Sequence, residues 1–283
     1  MGAVCHKSLR EFISEENLER RDMWLYHTKT NDGLGKELMD ITAGFAEGLF
    51  GSFGDFEDRY FKLRYVQYEW IRVSLGNARS NAWFNSGIIY WMLNDCWPAA
   101  MGWSVLDYYN RPKAGYYALK AHGMGTNVYV TKREGGYRVN LSNVRELSAE
   151  AEVKVSIVDF LTGKTELLSK KHITLPSGNT PIDFDVTLKD TEVLIADADV
   201  NGKTQRSWYK EGVPHLKKTE KLKWTVKDGG VVISADTYVH AVEILTGDLL
   251  EDNYFTVLPG EEKFVKIENE ETLKNLSVIG FTF

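Results

Sequence analysis

The sequence predicts a multidomain chain, α/β in its first part and all-β in the remainder. Three observations lead there. Apolar residues recur at helical spacing from Phe56 to Val73. An unbroken apolar run, Ile88-Ile89-Tyr90-Trp91-Met92-Leu93, then stops in Asn94-Asp95-Cys96-Trp97-Pro98. Beyond Gly125 the pattern changes to alternation punctuated by glycine turns. The 283 residues leave room for two or three domains. Composition is that of a soluble globular protein, 43% hydrophobic and 26% charged, and no apolar stretch approaches the roughly 20 residues of a membrane span. No membrane partner is therefore expected. A formal net charge of −6 offers no basic excess to neutralise phosphates, which excludes nucleic acid as the expected partner.

Taken in order, Ser8-Leu9-Arg10-Glu11 spells a capping box at a helix start, and Ser14-Glu15-Glu16 starts a further solvated turn. Met23 to Gly54 reads as an irregular stretch rich in glycine and aromatics, in which His27 has no visible partner and is expected to be structural. Asp55 caps the longest helix. Phe56, Tyr60, Leu63, Val66, Trp70 and Val73 supply its apolar stripe, Arg59, Lys62, Glu69 and Arg72 its remaining surface, and Gly76-Asn77 its stop. The run from Ile88, apolar throughout and β-branched at its start, suits a strand buried on both faces, as in a parallel sheet. A buried helix segment, or a core strand capped by a polar turn, is the alternative. In a (β/α)8 barrel the chemistry sits at the C-terminal strand ends, which would put Asn94, Asp95 and Trp97 at a site mouth. Pro112 then opens a helix that Gly123 ends.

In the second part Asn127–Thr131 and Tyr137–Ser142 flank Glu134-Gly135-Gly136 as a hairpin. Val153, Val155 and Ile157 alternate, as do Ile182, Phe184, Val186 and Leu188, and Asn201-Gly202 makes a further turn. Short strands with regular turns describe an immunoglobulin-like sandwich. Lys210 to Lys221 reads as a connector, after which Leu222 begins a second strand set with a turn at Asp228-Gly229-Gly230.

Trp91-Met92-Leu93-Asn94-Asp95-Cys96-Trp97-Pro98, followed by Asp107-Tyr108-Tyr109-Asn110-Arg111-Pro112-Lys113-Ala114, closely resembles the last barrel strand and following helix of family 2 glycoside hydrolases, the β-mannosidase branch above all. Asp252 to Glu262 resembles the C-terminal sandwich of β-mannosidases. The resemblance spans nearly the whole chain. It implies a C-terminal fragment of a (β/α)8 TIM barrel at 1–124, followed by two immunoglobulin-like β-sandwiches at 125–209 and 217–283. It also implies a retaining, exo-acting β-glycosidase whose two catalytic glutamates both lie upstream, because Met1-Gly2-Ala3 looks like the residues directly after the nucleophile. No catalytic residue is then expected here, and the chain alone is expected to be inactive. Trp91 and Trp97 would form the aromatic platform beneath a sugar, and Asn94 and Asp95 would bond its hydroxyls or hold neighbouring residues; a strand-end turn with side-chain-to-backbone bonds is the alternative for that pair. By the same resemblance Met23 to Thr28 runs over the sugar-binding face, the alternative being a loop packed by its own aromatics.

The expected partners are a β-linked mannoside or related glycoside and the remainder of the parent barrel. A non-catalytic carbohydrate-binding or structural β-sandwich module is the competing function. No cofactor and no metal is expected: Cys5 and Cys96, far apart, lack metal-ligand spacing and are expected to be two buried free thiols. Asn269-Glu270 repeats the family's Asn-Glu pair but falls in the terminal strand region, where a charged hairpin turn explains it. A barrel fragment without neighbouring strands would expose Ile88 to Leu93, so self-association or disorder of the first part is expected.

Overall fold

A computed structural model describes residues 1–28, 34–145 and 147–283. They form two compact units. The first gathers Met1–Trp70, Tyr90–Ala118 and Val213–Phe283; the second gathers Ile71–Ile89 and Leu119–Gly212. Among the described residues no helix is long and apolar enough to cross a membrane.

The helix Phe56–Ser80 starts where the sequence places it. Asp55 Oδ1 accepts the backbone N–H of Asp58 at 2.9 Å, and Asp58 Oδ2 accepts that of Gly54 at 2.7 Å, so two orphan donors are satisfied reciprocally. It runs through Gly76 to Ser80, beyond the expected stop. Gly76 serves packing instead, because a Cβ there would run into the Tyr129 ring. The expected two-sided helix is also corrected, since every residue from Tyr60 to Glu69 is buried, Lys62 and Glu69 included. Each finds a partner inside: Lys62 donates to Ser52 O at 2.8 Å and pairs with Asp58 at 2.9 Å, and Glu69 accepts from Tyr65 Oη at 3.0 Å. Trp70 and Val73, expected inside, are partly exposed.

Arg64 makes the deepest connection of the first unit. Its Nε and Nη2 donate to Glu243 Oε1 and Oε2 at 3.0 and 2.8 Å, its guanidinium lies 4.2 Å from the Tyr60 ring centre, and Tyr254 Oη donates to the same carboxylate at 2.7 Å. Burial opposes the charge on Arg64, and the adjoining Glu243 carboxylate more than offsets it, so the arginine is held above its ordinary value. Burial, and then Glu243, raises the Tyr254 phenol well above its usual range.

Glu243 lies on Val239–Ile244, in a four-stranded sheet ordered Lys217–Lys218, Val278–Thr282, Val239–Ile244, Phe255–Val257. A three-stranded sheet of Leu222–Lys227, Gly230–Ala235 and Glu262–Lys266 completes the C-terminal β-sandwich. Its first hairpin turns on Asp228 (φ 49°) and Gly229 (φ 72°), the left-handed pair that matches strand twist. The second unit holds the other sandwich: Thr126–Arg133, Gly136–Asn143 and Gly178–Phe184 in one sheet, and Thr165–Leu175, Ala149–Asp159, Glu192–Val200 and Lys203–Lys210 in the other. Val128, Val139 and Leu141 of the first sheet share one apolar core with Val153, Val155 and Leu194 of the second. Val186 and Leu188 lie past the end of their expected strand, although Leu188 stays in the core.

Other expectations are corrected. Of the stretch Met23 to Gly54, residues 29–33 lie outside the described ones, and the rest is not irregular: it contains the end of the helix Arg21–Tyr26 and all of Leu34–Phe50. Gly44 and Gly48 disguise the second helix, yet both face open space, where a glycine costs only about 1 kcal/mol against alanine. Met39, Thr42, Ala46 and Phe50 form its buried side. The first helix is His6–Leu9, with Cys5 before it, so Ser8 caps nothing. The run Ile88 to Asp95 forms no strand, and it is not buried before Asp95. Ile89 is 94% exposed, Trp91 74% and Leu93 66%. Apolar composition suits a buried strand, but a strand also needs ladders on its sides. What pairing the segment has is one isolated parallel bridge, Asn94 with Leu106. Nearby, Gly2–Ala3 pairs antiparallel with Met101–Gly102.

Two measurements follow. Arg64→Met leaves the Glu243 carboxylate buried without its counter-charge, and is expected to cost about 3–5 kcal/mol in urea unfolding. Burial, and then the Arg72 guanidinium, pushes His122 down to about 3, and burial with Arg64 does the same to His6. Both stay neutral in the folded chain, while the unfolded chain protonates them below the ordinary value of 6.5. Their contribution to stability is therefore complete above pH 6.5 and declines as the pH falls towards 3. His122→Gln should flatten the dependence of melting temperature on pH across that window.

Candidate functional site

The segment from Tyr90 to Pro98 is held from behind by the loop that follows it. Val105 N–H reaches Met92 O and Leu93 O, both at 3.1 Å, Leu106 N–H reaches Leu93 O at 2.8 Å, and Asp95 N–H returns to Leu106 O at 3.1 Å. Asp107 organises that loop. Its Oδ1 accepts the N–H groups of Tyr109 and Arg111 at 2.8 and 2.9 Å, and its Oδ2 accepts a short bond from Ser8 Oγ. Arg111 adds bonds to Ser8 Oγ at 3.2 Å and to Glu11 at 2.7 Å. The turn delivers Lys113 to Asp95, Nζ to Oδ2 at 3.0 Å, with neither side chain reaching solvent.

Side chains then divide between inside and outside. Tyr90 points in: its Oη donates to Trp103 O at 2.6 Å and accepts from Gln67 Nε2 at 3.0 Å, and burial raises its phenol above the ordinary value. Trp91, Leu93 and Asn94 point out, Asn94 with its Nδ2 3.3 Å from Asp95 O, and the Trp91–Met92 peptide bond is cis. Trp97, 45% exposed, meets the end of the helix Arg21–Tyr26. Its ring stacks at 21° on His27, centroids 6.2 Å apart, and stands at 70° to Tyr26, centroids 6.5 Å apart. His27 is the hydrogen-bonded structural residue the sequence implies, its Nδ1 3.0 Å from Pro98 O.

Of the four residues singled out from sequence, Trp91, Asn94 and Trp97 thus face solvent and Asp95 is inside on Lys113. Sequence reasoning did not single out Tyr26 beside Trp97; the resemblance placed only the stretch Met23 to Thr28 over the sugar-binding face, and nothing in sequence distance brings residue 26 to residue 97. The cysteines are both free, but only Cys5 is buried; Cys96 is exposed, which corrects the expected burial. Burial raises the Cys5 thiol. Asn269 is not in a hairpin turn. It caps the helix Glu270–Lys274, its Oδ1 accepting from Glu271 N at 3.0 Å and Thr272 N at 3.4 Å.

Among the described residues no three His, Cys, Asp or Glu side chains gather as metal ligands. A cleft of about 1000 Å³ opens in the first unit beside Phe50, Asp58, Lys62, His215 and Phe281, away from Trp91 and Trp97. The tryptophan surface offers aromatic faces and an amide. The single carboxylate within residues 88–98, Asp95, is held by Lys113.

No protein-family model matches the chain. By sequence it is 29% identical over 198 residues to an exo-β-D-glucosaminidase of Arthroderma benhamiae, covering 64% of this chain and 20% of that protein. It is 24% identical over 211 residues to β-mannosidase B of Emericella nidulans, covering 64% and 25%. By fold it matches the β-D-mannosidase of Dictyoglomus thermophilum with a TM-score of 0.80 at 18% identity, over 99% of this chain and 36% of that one. The exo-chitosanase of Amycolatopsis orientalis matches with a TM-score of 0.67 at 16% identity, over 98% and 40%. The chain thus spans a quarter or less of these two curated relatives and well under half of these solved ones.

One pair of variants separates the inner from the outer residues. Lys113→Met strands the Asp95 carboxylate in the interior and is expected to cost about 3–5 kcal/mol in chemical unfolding. Trp91→Ala, on the exposed side, is expected to change stability by no more than about 0.5 kcal/mol.

Proposed function

As a relative of the β-mannosidases and exo-β-D-glucosaminidases of glycoside hydrolase family 2, this chain is, we propose, the C-terminal portion of a retaining, exo-acting β-glycosidase of β-mannosidase type. Residues 1–124 are the closing part of its (β/α)8 barrel, and 125–209 and 217–283 are its two immunoglobulin-like sandwiches. The observation that carries the reading is the mismatch at Ile88 to Leu93. This segment has the composition of an interior strand, is fastened along one side by Val105 and Leu106, and presents Ile89, Trp91 and Leu93 to solvent. Further staves of a barrel beside it would remove that surface from water, at about 25 cal/mol per Å² of apolar area.

In such an enzyme hydrolysis needs two carboxyl groups about 5–5.5 Å apart, one nucleophile and one acid/base. Both lie upstream in this reading, and the chain contributes to binding. Trp91 and Trp97 stack on the apolar face of the sugar while its hydroxyls turn outward, and Asn94 hydrogen-bonds a hydroxyl. Asp95 acts indirectly, by holding the segment to Lys113. A non-catalytic carbohydrate-binding or structural module would keep the sandwiches and need none of this.

The test is an assay on p-nitrophenyl β-D-mannoside. The chain alone is expected to be inactive, and adding the upstream portion of the parent should restore turnover, which Trp97→Ala then lowers. Turnover by the isolated chain, abolished by a substitution within it, would overturn the reading. Sugar binding that survives deletion of residues 1–124 would favour the module.

A further inference from the structure

We propose that Tyr26 and His27 complete the sugar-binding corner that Trp97 begins, Tyr26 as a second aromatic wall and His27 as a positioning residue that sets the plane of the indole. The inference rests on the reading of Trp97 given above and adds two residues to it.

His27 is 9% exposed and is tied twice to the chain just after the tryptophan. Its Nδ1 lies 3.0 Å from the carbonyl of Pro98, the residue after Trp97, and its backbone carbonyl accepts the N–H of Ala100 at 2.6 Å. A carbonyl only accepts, so Nδ1 carries the proton in that bond. Phe12 packs on the imidazole with centroids 4.6 Å apart, and Tyr26 meets it edge-on at 4.9 Å. Its ring, bonded to Pro98 O and packed on Phe12, thus lies nearly parallel to the indole, at 21°. Tyr26, 69% exposed, stands at 70° to the same indole. Two exposed rings at this angle make a corner. A pyranoside fits it by laying its flat C–H face on the indole and its rim, with a hydroxyl, along the phenol.

The full chain is titrated with methyl β-D-mannopyranoside by saturation-transfer NMR, together with its Tyr26→Ala, Tyr26→Phe, His27→Ala and Trp97→Ala variants. An aromatic contact of this kind predicts that Tyr26→Ala weakens binding roughly three- to tenfold and that Tyr26→Phe restores most of it. His27→Ala should weaken binding to a similar degree, and its near-ultraviolet circular dichroism should lose the same tryptophan signal that Trp97→Ala loses. A residue with a merely structural role would lower the melting temperature without that spectral match. If Tyr26→Ala and His27→Ala bind as the unaltered chain does while Trp97→Ala loses the sugar, the inference fails and the reading beneath it stands. If the unaltered chain shows no binding, or if Trp97→Ala binds normally, both fall. Should His27→Ala not fold, the Tyr26 pair decides, because that side chain is on the surface.

Discussion

The first unit depends on one buried ion pair. Arg64 leaves the long helix Phe56–Ser80 and Glu243 leaves the strand Val239–Ile244, and their two parallel bonds fix the helix to the C-terminal sandwich. In the interior such a pair is tolerated only when its geometry is good and its remaining polar atoms are largely met. Tyr254 supplies a third bond to the carboxylate, and the Tyr60 ring faces the guanidinium. His240, three residues earlier on the same strand, adds two more bonds, its Nε2 2.9 Å from Tyr65 Oη and its Nδ1 3.0 Å from Tyr238 Oη. Arg64 and Tyr65 of the helix are thus answered from the strand it packs on. Directional bonds of this sort specify one register, where apolar packing alone would accept several.

The candidate site is built on the same principle at smaller scale. Asp95 and Lys113 join the two ends of residues 95–113, and Asp107 shapes the loop between them through backbone N–H groups and Ser8. The outer side chains are free to differ in character because the inner ones carry the anchoring. Trp91, Asn94 and Trp97 stand on a scaffold whose rigidity comes from residues that never meet solvent.

Much of the fold was legible. Period-two alternation and Asn-Gly or Asp-Gly turns located both sandwiches, because a strand with one buried face writes its pairing into sequence. The Asp55 cap was legible because it acts within one turn. The helix Leu34–Phe50 was not, since Gly44 and Gly48 weaken the helical signal although their surroundings tolerate them. The burial of Lys62 and Glu69 was hidden for a different reason: their partners Asp58 and Tyr65 lie one turn back on the same helix, a spacing that suits an exposed face equally well.

At the site, the residue types along 88–98 and the resemblance they carry were set by sequence alone, as were the turn chemistry of Asp107 and the two strand sets. Tertiary structure alone decided which way each side chain faces. It turned Asp95 inward to Lys113, placed Tyr26 against Trp97 across about seventy residues, and left Ile89 in water. The physical reason is that local bonds and periodicity act within a few residues, whereas burial and ion pairing are settled by whatever the folded chain brings within a few ångströms.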